Sequence, residues 1–416
     1  MGLRVWIDAT AADSALRVFG MSLVERLLAA LAQLNTRGEI VGVVVEHAPA
    51  AAPVLRADLV AMLGVTLAEA RGSFSERIER AVAAGQSPLL ALPGDAIVDT
   101  RLLASLLSAE HGAAALGGEG TQLTGLVLIA PGARLAPSDA RELRGFAEDQ
   151  LGAGALRELA LGEIEAHITN LRRDQPVYAF RIESADVAAT ERWLFWSNYK
   201  GSTDFLTRWV FPPFVWAALR PLARWRVHPN WVTGLAVLLC VAAIPLWAAQ
   251  HWWLGFAAAY TMAVLDSVDG KLARLTYTTS LIGDVMDHGT DLVHPPFWYA
   301  AWAWGLAGGP RGATFELTLW LFGLYALDRL LAPLFKAITG KSIHGYAPVD
   351  VKMRTFISRR NVNLPVFTLA LPLGLGAQAI VLVFAWQAVC FVFHAVRTAQ
   401  VALGAQSSAR RRADAR

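Results

Sequence analysis

Asp266 and Asp269 stand three residues apart, and Asp287 and Asp291 four apart, in a part of the chain otherwise apolar enough for a bilayer. On a helix, each of those spacings puts both carboxylates on one face. Carboxylates inside a membrane helix are costly unless they are paired or bind metal, so their first reading is functional. Two carboxylates one turn apart repel each other unless a cation lies between them. Lys271 and Arg274 cannot neutralise four aspartates plus Asp284, which argues against a buried salt-bridge network. An all-oxygen set without cysteine or recurring histidine spacing suits Mg²⁺ or Mn²⁺ better than zinc. Two such ions can bridge a diphosphate and stabilise both attacking and leaving oxygens. Gly270 and Gly283 remove side chains where a nucleotide could approach, and Arg274 offers a planar fork for phosphate. A carboxylate four residues beyond a metal ligand can take a proton from an alcohol. The chemistry implied is phosphoryl transfer from a nucleotide diphosphate ester to a hydroxyl. His288 is off the ligand face and reads as a helix contact, and Asp328 and Arg329 read as an internal pair.

These residues need helices that cross a membrane. The chain has 416 residues, 55% of them hydrophobic, with a net charge of only +3, which implies no nucleic-acid surface. Up to about Trp196, apolar and charged segments alternate as in a globular domain. Beyond it, long apolar runs dominate. Spans are predicted near Val232–Ala249, Trp253–Arg274, Ser280–Leu306, Phe315–Ile338, Leu364–Leu375 and Ala377–Leu403, the fifth extended by residues before it. Thr203–Arg226, interrupted by Pro212 and Pro213, reads as an interfacial helix with Trp209, Trp216 and Trp225 at headgroup depth. Trp252, Trp253, Trp298, Trp302 and Trp304 read as interface anchors. Cys240 and Cys390 lie in apolar runs and form no disulfide framework or zinc site.

Lysine and arginine set the orientation. Arg220, Arg224 and Arg226 precede the first span, and Lys271 and Arg274 end the second. Lys336, Lys341, Lys352, Arg354, Arg359 and Arg360 lie between the fourth and fifth, and Arg410, Arg411 and Arg412 follow the sixth. Only Arg311 stands out on the opposite side. Both termini and the aspartates are therefore expected on the cytoplasmic face, and the N-terminus has no apolar signal-peptide core. The first half alternates β-like runs (Arg4–Asp8, Ile40–Glu46, Leu89–Leu92, Leu126–Ala130) with helical ones (Leu23–Leu34, Leu102–Leu107), which predicts a mostly parallel α/β sheet. Val177–Ile182 reads as a further strand. Asp95 follows the Leu89–Leu92 strand, where such sheets bind ligands, although an acidic residue there is more often part of a turn.

Asp266, Asp269, Gly270, Ala273, Arg274, Gly283, Asp287 and Asp291 resemble, at every position, the signature of the CDP-alcohol phosphotransferase (CDP-alcohol phosphatidyltransferase) family. The resemblance implies two Mg²⁺ or Mn²⁺ ions on Asp266, Asp269, Asp287 and Asp291, with Asp291 as general base. It implies a CDP pocket lined by Asp269, Gly270, Ala273, Arg274 and Gly283. A hydroxyl acceptor would attack the β-phosphorus and CMP would leave. It further implies a homodimer in the inner (cytoplasmic) membrane, with its pocket open to the cytoplasm and the bilayer.

Lys200–Asp204 through Arg208, with His228–Thr233, resemble the inositol-phosphate branch. That implies an inositol-phosphate acceptor, with di-inositol-phosphate, glycerol-phosphate and ceramide-type pairs as alternatives. Arg354, Arg359 and Arg360 either hold the acceptor's phosphate or set topology. Related enzymes often have aspartate where Asn361 stands, which leaves the acceptor open. Phe19–Arg26 and Gly94-Asp95 resemble pieces of nucleotidyltransferase domains. The loop after the first strand, however, carries Asp8 and Asp13 and no glycine, so it cannot cradle a triphosphate. The expected organisation is a degenerate nucleotidyltransferase-like α/β domain (1–196), an interfacial helix (197–228), a six-span all-α domain (229–405) and a basic tail (406–416). An ion transporter is the reading from another class, but transport sites sit at the midplane between repeated halves, and no repeat is visible. An inactive scaffold conflicts with the intact signature.

Overall fold

The computed structural model describes residues 2–109, 112–117, 122–159 and 161–414. The strands are β1 (Leu3–Ala9), β2 (Arg17–Val18), β3 (Met21–Ser22), β4 (Ile40–His47), β5 (Val65–Glu69), β6 (Leu89–Pro93), β7 (Ala96–Val98), β8 (Ala113–Gly117), β9 (Gln122–Ile129), β10 (Arg157–Leu159), β11 (His167–Ile168), β12 (Arg173–Asp174) and β13 (Ala179–Arg181). Seven of them form one sheet in the order β10-β8-β9-β6-β1-β4-β5. The centre is parallel: β1 pairs with β4 on one side and β6 on the other, while β9 runs antiparallel to β6 and β8. Helices α1 (Leu23–Leu34), α2 (Ala57–Leu63), α3 (Phe74–Ala83), α4 (Thr100–Leu107), α5 (Leu143–Gly152) and α6 (Val187–Ser197) complete this half. The near-continuous apolar runs of β1 and β6 are buried on both faces, as parallel strands under helices require. Ser22 starts α1 through a capping box with Glu25.

The predicted strands overlap β1, β4, β6, β9 and β13, with Ala130 lying past the end of β9 and Val177–Ile182 overrunning the three-residue β13 at both ends. In the seven-stranded sheet, β5, β8 and β10 were not expected. β8 is a run of alanines, with none of the branched or aromatic residues that mark a strand.

The second half is helical: α7 (Pro212–Arg224), α8 (Pro229–Ala248), α9 (Trp252–Leu275), α10 (Leu281–Ala307), α11 (Ala313–Thr339), α12 (Pro348–Phe356), α13 (Arg360–Ala370) and α14 (Gly376–Asp414). Pro212 and Pro213 lack the N–H groups that would continue a helix through them, so α7 starts there. The preceding turn, Leu206–Val210, is π-helical, and the Phe211 N–H reaches back to Leu206 O at 2.8 Å. All six predicted spans are helices. Among the described residues, three helices are long and apolar enough to cross a membrane: α8, α11 and the Gly376–Gly404 part of α14. α9 and α10 carry the motif carboxylates. α13 is short, and a 3₁₀ turn follows it over Leu371–Leu373.

α8 packs along α9 and α10, and α11 along α14. Two sequence expectations need correcting here. Trp298 and Trp302 are core residues, not interface anchors. Trp298 donates to Cys240 O at 3.0 Å, and Trp302 packs on Phe256 and Phe367. Asp328 does not pair with Arg329. It accepts from His394 Nδ1 (2.6 Å) and Gln387 (3.2 Å) across the α11–α14 contact, while Arg329 lies over the Tyr325 ring. The two halves share one apolar cluster, in which Phe19, Leu23, Leu194 and Phe195 meet Leu219, Ala223, Leu272 and Leu275.

Candidate active site

The C-terminal third of α9 and the first turns of α10 bring the aspartates together. One carboxylate oxygen each from Asp266, Asp287 and Asp291 lies within 4.8 Å of the others. Asp269 faces α8 instead: its Oδ2 accepts from Thr233 Oγ1 at 2.7 Å, and its Oδ1 from the Gly270 N–H at 2.6 Å. Arg360, at the first position of α13, reaches across and pairs with both Asp266 and Asp291. Tyr325 donates to the backbone carbonyls of Asp291 (3.3 Å) and Leu292 (3.1 Å), fixing α10 against α11.

The other signature residues surround this cluster. Arg274 makes no ion pair with the aspartates and donates Nε to Asn198 Oδ1 at 3.1 Å. A Cβ at Gly270 would lie 3.4 Å from Arg274 Nη1, so glycine there leaves the guanidinium room. A Cβ at Gly283 would come within 2.8 Å of Asn230 Oδ1 and 3.1 Å of Ser280 Oγ. Gly283 thus lets α10 press on α8, where Ser280 donates to Asn230 at 2.9 Å. Ala273 is partly buried on α9. His288 is exposed beside Asp284 and makes no helix contact of the kind predicted. His294 is buried against Trp298, with its Nδ1 2.6 Å from Thr290 O.

Neither Arg354 nor Arg359 makes an ion pair with the aspartates, although Arg359 lies close enough to Asp291 to act on it electrostatically. Arg354, on α12, is 6% exposed, and its Nε and Nη1 are buried without a hydrogen-bond partner. Burial, with Arg359 beside it, pushes its guanidinium well below the usual arginine range. Asp204, an acidic neighbour, is already engaged by Thr207 (2.9 Å) and Asn361 (3.2 Å). A buried, uncompensated arginine is costly unless an anion joins it. The sequence reading missed Thr233, Asn198 and Tyr325. Thr233 lies within the His228–Thr233 stretch that had been noticed, whereas Asn198 and Tyr325 carry no local signal.

In the N-terminal half, Asp8 pairs with Arg77 at 3.0 Å and Asp95 with Arg181 at 2.5 Å. Each of these acidic groups at the carboxyl end of the sheet is therefore already engaged by an arginine of this chain, which it shares with Glu46 or Glu142.

Residues 226–404 match the family model described as CDP-alcohol phosphatidyltransferase. The helical half belongs to that family. The chain is 35% identical over 105 residues to cholinephosphotransferase 1 of Gallus gallus, covering 23% of this chain and 31% of that protein. An uncharacterised CDP-alcohol phosphatidyltransferase class-I family protein of Schizosaccharomyces pombe is 27% identical over 118 residues, 24% of this chain and 30% of that one. The chain thus spans about a third of the length of the curated relatives it matches. Among solved structures, 2-C-methyl-D-erythritol 4-phosphate cytidylyltransferase of Thermus thermophilus aligns with a TM-score of 0.30 and 19% identity, over 46% of this chain and 98% of that one.

Proposed function

We propose that this chain is a membrane phosphotransferase that moves a substituted phosphate from a CDP-alcohol to a hydroxyl acceptor, with release of CMP, and that the acceptor is an inositol phosphate. The observation that carries the reading is the meeting of Asp266, Asp287 and Asp291 within 4.8 Å in a domain of this family. Three carboxylates facing one arginine leave a net negative, all-oxygen site, which fits a hard divalent cation. Asp266, Asp287 and Asp291 would hold it. Asp269 would join them through the lone pairs left on its oxygens, making a site for two ions of Mg²⁺ or Mn²⁺. When bound, the metal neutralises charge on the donor's diphosphate.

The protein's own groups account for the remaining roles. Gly270, Ala273, Arg274 and Gly283 line the nucleotide side. Asp291 takes the proton of the acceptor hydroxyl. The acceptor oxygen bonds to the β-phosphorus as the bond to the CMP oxygen breaks. Arg354 and Arg359 bind the acceptor's phosphate, and Arg360 reaches the same pocket from α13. The unpartnered guanidinium of Arg354 favours an anionic acceptor over a neutral one. Residues 229–405 form the membrane unit, a homodimer in the cytoplasmic membrane with the aspartates and both termini on the cytoplasmic face. Residues 1–196 are a degenerate nucleotidyltransferase-like domain, a reading supported by the Asp8–Arg77 and Asp95–Arg181 pairs. Residues 197–228 are interfacial, and 406–416 form a basic tail.

The test is the purified full chain with Mg²⁺ or Mn²⁺, a panel of CDP-alcohols, and inositol phosphate, glycerol phosphate or a neutral diglyceride as acceptor. CMP release that depends on inositol phosphate is expected. No CMP from any pair would remove the reaction class. Turnover with the diglyceride alone would remove the acceptor assignment. CTP should yield no pyrophosphate.

A further inference from the structure

Helix α1 and the residues that close α6 grip the motif end of α9 at three points. Asn198, which closes α6, accepts from Arg274 Nε through Oδ1 at 3.1 Å, and from Nη2 through its carbonyl at 3.5 Å. Its own Nδ2 donates to Leu194 O at 3.0 Å, which fixes the amide and aims Oδ1 at the guanidinium. The next residue, Tyr199, places its ring 3.8 Å from Lys271 Nζ, a cation–π contact. Arg26, on α1, donates to Leu275 O at 2.9 Å, satisfying a carbonyl that the end of α9 leaves open, and lies over the Tyr277 ring at 5.2 Å.

An arginine one turn beyond clustered aspartates would otherwise fold onto them, as Arg360 does from α13. A guanidinium has five donors in a fixed fork. With Nε and Nη2 tied to Asn198, Nη1 is the corner left on the Gly270 side, where no side chain intrudes. Holding a long side chain in one rotamer before the ligand arrives lowers the entropy cost of binding.

We infer that Asn198 is a positioning residue: it orients Arg274 toward the donor's diphosphate, so that the junction closing α6 tunes nucleotide affinity without touching the nucleotide. The inference rests on the functional reading above.

The test is a double-mutant cycle on CDP affinity, measured by calorimetry on the full chain in detergent with Mg²⁺. Asn198→Ala should weaken CDP binding about tenfold, the scale of one charge-assisted hydrogen bond. Arg274→Ala should weaken it at least as much, and the double variant no more than Arg274→Ala alone. Asn198→Gly, well tolerated at a helix C-terminus, takes the place of alanine if that variant melts early. Wild-type affinity in the Asn198 variant, or losses that multiply in the double variant, would overturn the positioning role and leave the functional reading standing. Failure of the wild-type chain to bind CDP with Mg²⁺ would overturn both.

Discussion

Asp266 and Asp291 share a cationic partner, Arg360, although 94 residues separate Arg360 from Asp266. Asp287 and Asp291 were legible in the sequence because a four-residue spacing on a helix converts directly into a shared face, whereas Asp269, three residues from Asp266, turns to Thr233 on α8. Arg360 was visible as a basic residue, but no spacing rule connects it to them. The same holds for Asn198 and Arg274, which are 76 residues apart. The roles proposed for the carboxylates separate on substitution. Asp291→Asn should cut CMP release by about 10²–10⁴, the usual worth of a general base, with CDP affinity kept. Asp266→Asn should weaken metal and CDP binding together. Parallel turnover assays and calorimetry tell these outcomes apart, and full turnover by Asp291→Asn would remove the base assignment. Arg354 makes an opposite kind of prediction. Arg354→Met deletes a buried charge without a partner, so the acceptor-free protein should gain about 1–3 kcal/mol, seen as a higher melting temperature in detergent. The same variant should raise KM for inositol phosphate at least tenfold.

At the level of elements, helices at the six expected positions, three of them long and apolar enough to cross a membrane among the described residues, and the main parallel strands followed from apolar run length and flanking signals. What the sequence withheld was which helix faces meet. Trp298 and Trp302 were read by residue type as surface anchors, yet α10 turns Trp298 against α8 and Trp302 against α9 and α13. Asp328 was assigned to its chain neighbour, but a neighbour on a helix points elsewhere, and its partner His394 comes from α14. Close approach also explains a signature position. Gly283→Ala would force its methyl to within 2.8 Å of Asn230 Oδ1, so α10 should shift from α8. A loss of about 1–3 kcal/mol is expected in thermal or denaturant unfolding, together with weaker metal binding, because Asp287 lies one turn on. Unfolding and metal affinity as in wild type would show that the contact relaxes without consequence.

As a whole, the molecule is less divisible than its two compositions imply. Glu25, fully buried, caps α1 and also accepts from Arg226 at 2.9 Å, at the threshold of the helical half. Glu191 accepts from the Phe19 N–H at 3.0 Å and from Arg220 at 2.9 Å. Gly20 sits at φ +76°, and a Cβ there would come within 2.6 Å of Ala223 O on α7. A chain lacking residues 1–196 would expose that face of the shared apolar cluster and strand Arg26's partner carbonyl. It should aggregate in detergent or melt well below the full chain in size-exclusion and thermal assays. A truncated bundle as stable as the parent would show that the halves are independent.

This seam also constrains how such a chain can be re-engineered or can diverge. A foreign soluble head grafted onto this bundle inherits the job of gripping α9, whatever else it does. Replacement heads would therefore succeed only if they reproduce the shape around Gly20 and the Arg26 contact to Leu275 O, so the head can lose its own chemistry more easily than it can lose its surface.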